Sequence, residues 1–148
     1  MQLLIATGVP VLLYILVPRL IGKQDAPKTL LSAACLTFFA AGWLPSPLIA
    51  GQQTSWVTHI VGGGIFGGLL WLYIARAYDW LPKPAYIEIG SLYALVCALG
   101  VANELFEAVT YSLFGWPKTI ADTSWDLVAN IVGTLIFYFV YRLVRLRR

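Results

Sequence analysis

GVANELFEAVTYSLFGWPKTIADTSWDLVANIVG, residues 100–133, decides how this chain is read. It sets Asn103, Glu104, Glu107, Asp122, Asp126 and Asn130 at the ends of two long apolar runs, and it holds four of the seven acidic residues in the chain. A carboxylate in hydrocarbon costs ~3 kcal/mol at mid-helix on insertion scales, so carboxylates gathered beside apolar runs point to function.

Working outward, the runs themselves fix the fold class. The chain has 148 residues, 59% hydrophobic and 11% charged, against about 25% charged in soluble domains. A run of about 20 apolar residues crosses a ~30 Å hydrocarbon core, and five such runs are present. The expectation is a single all-α transmembrane domain, a five-span helical bundle, with no room for a soluble domain. Residues 3–21 have no basic residue ahead of them and no small-residue cleavage site, so they read as the first span and not as a signal peptide. The second span is expected from Thr29 to Leu44, broken by Pro45-Ser-Pro47, with Leu48 to Ser55 as a bent exit at the membrane surface. The third is Trp56 to Tyr78, the fourth Ala85 to Tyr111, and the fifth ends near Val144 after a loop from Ser112 to Thr123. Asp122 or Thr123 is suited to cap that last helix, with Asp126 in its first turn.

Alternation of the spans puts Arg19, Lys23, Lys28, Arg76, Lys83 and the four terminal arginines on one side, nine of the ten basic residues, with only Lys118 opposite. Basic residues are retained in the cytoplasm, so the amino terminus is expected outside and the carboxyl terminus inside. The net charge of +3 is therefore an orientation signal, and no nucleic-acid partner is expected. Trp43, Trp56, Trp80, Trp116 and Trp125 fall at the expected interfaces. Cys35 and Cys97 lie inside apolar runs without metal spacing and read as buried small hydrophobes.

With this topology His59, Asn103, Glu104, Glu107, Asp126 and Asn130 share the extracytoplasmic side. Asp122, Asp126 and Asn130 recur every four residues with Gly133 continuing the stripe, and Asn103 and Glu107 are also four apart, so two helices carry oxygen-rich faces. His59 lies one turn before Gly63 in the third span. Gly63 with Gly67 and Gly64 with Gly68 form small-xxx-small pairs that let another helix approach. Three readings of the polar cluster stay open. It can hold a hard divalent cation such as Mg²⁺, Mn²⁺ or Ca²⁺, with the histidine tilting the choice to Mn²⁺ or Zn²⁺. It can work without metal, as coupled carboxylates in acid-base chemistry or in proton or ion movement. It can also be structural, a set of groups bonding one another across helices. Glu88, beside Lys83, reads as an interfacial carboxylate.

Absent motifs narrow the classes. No Gly-x-Ser-x-Gly elbow occurs, one histidine cannot supply two axial haem ligands, and no Asp-Gly-x-x-Ala-Arg phosphotransferase pattern is present.

The order Thr58-His59-Ile-Val-Gly-Gly63, Asn103-Glu104-Leu-Phe-Glu107 and Asp122-Thr-Ser-Trp-Asp126-Leu-Val-Ala-Asn130-Ile-Val-Gly133 resembles the VanZ-like family over residues 56–140. Trp56-Val57 stands where that family has Asp-Lys before the histidine, and Glu107 where a glutamine is common, so the likeness is to its uncharacterised bacterial inner-membrane relatives. The resemblance implies a small multi-pass protein of the bacterial cytoplasmic membrane, and the polar cluster itself gives the leading functional expectation, a site that acts on or binds a lipid-linked cell-envelope component. Glu104, Glu107, Asp122 and Asp126 are then the acid-base candidates, and His59, Glu104, Glu107 and Asp126 the metal-ligand candidates. His59, Asn103 and Asn130 are the orienting or substrate-contacting groups. The alternative is a non-enzymatic membrane protein, structural or conducting protons or ions through the same carboxylates.

Overall fold

The computed structural model describes residues 2–49, 52–81, 83–114 and 120–147, with side chains over 7–48, 54–81, 83–114 and 123–147. The expectations for Trp116 and Lys118 lie outside the described residues.

Helix α1, Gln2–Leu20, carries both Pro10 and Pro18. The Cys35 thiol of α2 donates to the Pro10 carbonyl at 3.3 Å, and neither cysteine is in a disulfide. Helix α2, Thr29–Ala41, has 13 residues and rises only ~20 Å at ~1.5 Å per residue. It stops at Ala41, short of the expected Leu44, and closes in a tighter turn in which the Trp43 N–H donates to the Ala40 carbonyl at 3.0 Å and the Leu44 N–H to the Ala41 carbonyl at 3.2 Å. The expected bent exit is instead a small hairpin, β1 (Leu48–Ile49) antiparallel to β2 (Gln52–Gln53), with Leu48 opposite Gln53. Thr54 Oγ1 donates to the Pro47 carbonyl at 2.7 Å to close it.

The third span is one helical stretch with a change of pitch inside it. Helix α3, Trp56–His59, passes into a π-helical turn, Ile60–Ile65, and then into α4, Phe66–Ala77. Three consecutive glycines in that turn remove the side chains that would otherwise hold standard helical geometry. Helix α5 is Ala85–Phe114 and α6 is Ile120–Leu146. The expected loop is therefore shorter than 112–123. Position 122 falls in the first turn of α6 and not ahead of it as a cap, and Asp126 lies one turn further in.

Among the described residues three stretches are long and apolar enough to cross a membrane, Trp56–Ala77, Ala85–Phe114 and Thr123–Leu146, while Thr7–Leu20 and Thr29–Ala41 are shorter apolar helices. Their outward faces are apolar: Val11, Leu105, Leu135 and Phe139 are each more than half exposed. A surface of this kind is stable against lipid and not against water, so this is a helical membrane protein.

The helices alternate in direction. Pro10 meets Cys35, Phe38 packs edge-on to Phe66 at 5.2 Å, Trp71 Nε1 donates to Ser91 Oγ at 3.0 Å, and Glu88 pairs with Arg145. Two apolar cores result. One joins α1, α2 and α4 around Leu31, Phe66, Leu70 and Tyr73; the other joins α4 and α5 around Trp71, Leu92 and Val96. Basic residues mark the end away from His59, where Lys23 lies over the Tyr78 ring and Tyr78 Oη donates to the Ile21 carbonyl at 2.5 Å.

Glu88 at that end is fully buried and not merely interfacial. It accepts the Lys83 backbone N–H at 3.0 Å, Arg145 Nη1 at 2.5 Å and Arg142 Nη1 at 3.4 Å. Its neighbour in sequence contributes backbone, and the countercharge comes from α6.

Candidate functional site

His59 sits at the last turn of α3 and is nine-tenths buried. Its Nε2 lies 3.3 Å from Asp126 Oδ2 of α6, and Asp126 Oδ1 accepts a hydrogen bond from Ser55 Oγ. Ser55 precedes α3 but gives its own helix no side-chain cap, because the hydroxyl is turned to α6. The exposed first turn of α3 is served from elsewhere: Val57 N–H donates to Ser46 Oγ at 3.1 Å. Asp126 is thus a buried carboxylate held between a hydroxyl and an imidazole. A tautomer with its proton on Nε2, the nitrogen facing Asp126, presents the Nδ1 lone pair as the ring's ligand atom.

Helix α5 supplies the other carboxylates. Glu104 is buried, and Asn103 Nδ2 donates to Glu107 Oε1 at 2.9 Å, one turn along, which orients that carboxylate. His59, Glu104 and Glu107 each offer a ligand atom, and these atoms lie within 4.8 Å of one another. That separation suits a cation of ~2.1–2.5 Å bond length bridging them, with Asp126 behind the histidine fixing its ring. The four side chains set one imidazole among three carboxylates, an arrangement that favours binding a cation or sharing a proton.

One turn deeper, Asn130 is buried between glycines of two other helices. A Cβ at Gly100 would lie 2.9 Å from Asn130 Nδ2, and one at Gly63 would lie 2.6 Å from Asn130 Cγ, on top of Oδ1. Among the described residues Asn130 Oδ1 is buried with no hydrogen-bond partner. Below it Thr134, also buried, turns its hydroxyl back to the Asn130 carbonyl at 2.8 Å.

Helix α6 comes this close because of glycines on both sides. A Cβ on Gly64 would sit 2.5 Å from the Gly133 Cα and carbonyl carbon, and one on Gly133 would sit 3.0 Å from Gly64 Cα and collide with the Ile60 carbonyl oxygen. The Gly133 Cα–H therefore points at the Ile60 carbonyl, a weak Cα–H···O contact at a close helix crossing. The π turn changes which glycines share a face. Gly63, Gly64 and Gly68 face Asn130, Gly133 and Phe137 of α6, whereas a Cβ on Gly67 would lie 2.7 Å from Val96 Cγ2 of α5. The expected Gly63/Gly67 face does not exist as one surface, since an i,i+5 turn makes residues five apart equivalent.

Of the residues expected at the site, His59, Glu104, Glu107 and Asp126 converge, Asn103 supports Glu107, and Asn130 forms the layer beneath. The Asp122 side chain lies outside the described residues. Asp126 lies against His59, 3.3 Å from its Nε2, next to the trio of ligand atoms that His59, Glu104 and Glu107 bring together. Sequence reasoning missed Ser55, Gly100 and Thr134. The four-residue spacing that linked Asp126 to Asn130 also links Ser55 to His59, Gly100 to Glu104 and Asn130 to Thr134, and would have found all three. No protein-family model, curated protein or solved structure matches the chain.

Proposed function

We propose that this is a VanZ-like protein of the bacterial cytoplasmic membrane, crossing it five times with its amino terminus outside. In this reading the His59, Glu104 and Glu107 site binds a divalent cation and, with it, the phosphate of a lipid-linked cell-envelope component. The meeting of three ligand atoms from two helices within 4.8 Å carries the reading. A mixed imidazole and carboxylate set favours Mn²⁺ or Zn²⁺ over Mg²⁺. The cation would polarise a phosphate oxygen. Asn103 orients Glu107, Asp126 fixes the tautomer of His59, and Asp126 with Ser55 can hold or release a proton beside the site.

The concentration of basic residues at the opposite end of the bundle supports the orientation. A bounded site is favoured over a conduit for ions or protons. The buried polar stripe of α6 runs through Asp126, Asn130 and Thr134, and the next layer is apolar, with Leu92 and Val96 buried and Phe137 against Gly68.

The test is retention of a long-chain polyprenyl phosphate by the purified protein with Mn²⁺ and with a chelator. Manganese-dependent retention, lost in the Glu104→Gln/Glu107→Gln variant, is expected. Equal retention in chelator, or by the variant, would remove the cation from the function.

A further inference from the structure

We propose that the cleft between α5 and α6 is a binding site for one anionic phospholipid, its acyl chain in the cleft and its phosphate on Arg142 and Arg145. The site is separate from the His59 cluster and independent of the topology proposed above. It has an apolar part and a charged part, and the register of α6 joins them.

The apolar part is a cavity of about 280 Å³ lined by Ile89, Gly90 and Tyr93 of α5 and Ile131, Thr134 and Leu135 of α6. Its floor is open: a Cβ placed on Gly90 has no atom within 4 Å, unlike the glycines at the helix crossings. Tyr93 and Leu135 are both about half exposed, so the cleft opens on the lipid-facing side of the bundle.

The charged part is the Glu88 cluster. One fully buried carboxylate fixes two guanidiniums, Arg145 at 2.5 Å and Arg142 at 3.4 Å, and so leaves a surplus positive charge. Both arginine side chains stay about a third exposed, at 34% and 36%. Each guanidinium has five N–H donors, and the contacts to Glu88 and to Tyr141 Oη use one nitrogen of each. Glu88 therefore holds two guanidiniums side by side that stay partly exposed, and the planar fork is the group suited to the oxygens of a phosphate.

Ile131, Leu135, Tyr138, Arg142 and Arg145 recur at spacings of four, three, four and three, which is one face of a helix. From Leu135 to Arg142 the helix rises ~10 Å, within the ~15 Å depth of one leaflet of a ~30 Å core. A phosphate at the arginines thus puts the upper part of its acyl chain at the level of the cleft. Tyr138 lies between the two along α6, and its hydroxyl donates to the Ala85 carbonyl at 3.2 Å, tying the helices together at the height of the headgroup. A zwitterionic lipid offers the same chain but brings its own cation to the arginines, so an anionic headgroup is the complement.

The experiment is native mass spectrometry of the purified chain titrated with dioleoylphosphatidylglycerol and with dioleoylphosphatidylcholine, alongside thermal unfolding. The anionic lipid is expected to bind at least about tenfold tighter. Gly90→Leu fills the cleft, and Leu135→Trp does so from the other wall; each should weaken phosphatidylglycerol binding by about tenfold, the loss of contact with about two methylenes, with an unchanged melting temperature. Arg142→Gln keeps the Glu88–Arg145 pair and should abolish the preference between headgroups. Equal binding of the two lipids would overturn the proposal. So would undiminished binding in both cleft-filling variants, or full competition by millimolar inorganic phosphate, which would leave an anion site without an acyl cleft.

Discussion

Gly64→Ala tests the helix approach on which the site depends. The added Cβ would lie 2.5 Å from the Gly133 Cα and carbonyl carbon and from the Thr134 nitrogen, all backbone atoms that no rotamer change can move. Ordinary carbon contacts are ~3.5–4.0 Å, so the π turn and α6 must part by about 1 Å. Overpacking of this size costs about 1–3 kcal/mol, offset in part by the ~0.5–1 kcal/mol that alanine gains over glycine in a helix. The net cost is about 0–2.5 kcal/mol, so at ~2–4 °C per kcal/mol for a chain of this length the melting temperature should fall by up to roughly 10 °C. The same movement carries the 3.3 Å His59–Asp126 pair to beyond ~4 Å, out of hydrogen-bond reach, so cation affinity should fall together with stability. Gly8→Ala is the control: it lies in α1 with nothing within 4 Å of its added carbon and should be neutral or stabilising. Thermal unfolding in one detergent measures both. A Gly64→Ala protein as stable as its parent, with unaltered cation binding, would refute the close crossing.

Asp126→Asn preserves volume and the Ser55 contact but weakens the hold on His59, so Mn²⁺ affinity should drop by about 10–100-fold with the fold intact, read by equilibrium dialysis. At the opposite end, replacing both Arg142 and Arg145 by alanine strands the buried Glu88 carboxylate and should cost on the order of 3 kcal/mol, whereas adding Glu88→Gln to that pair should restore most of the loss in a denaturation series. A reporter fused after Leu146 should behave as cytoplasmic; an extracytoplasmic signal would reverse the orientation and move the His59 site to the other leaflet.

The sequence made the helical class, the five apolar runs and the shared end of the polar residues legible, because hydropathy and four-residue spacing are both local signals. His59, Glu104, Glu107 and Asp126 could be gathered from those signals alone. The π turn could not. A run of three glycines permits it but does not require it, and once present it moved Gly67 to α5 and brought Gly68 to α6. The hairpin of Leu48–Ile49 with Gln52–Gln53 depends on backbone pairing that proline only hints at. Glu88 was misjudged for a different reason. Its partners Arg142 and Arg145 stand 54 and 57 residues away, where no periodicity reaches, so a buried triad looked like one carboxylate at an interface.

The most direct test of the central claim is pulsed electron paramagnetic resonance of the Mn²⁺-loaded protein in lipid nanodiscs. One bound ion per chain is expected, with the ¹⁴N coupling of a single imidazole that vanishes in His59→Ala and a reduced bound signal in Glu104→Gln. A bound ion showing no nitrogen coupling, or a spectrum of fully hydrated Mn²⁺ that neither substitution alters, would contradict a cation site between His59, Glu104 and Glu107.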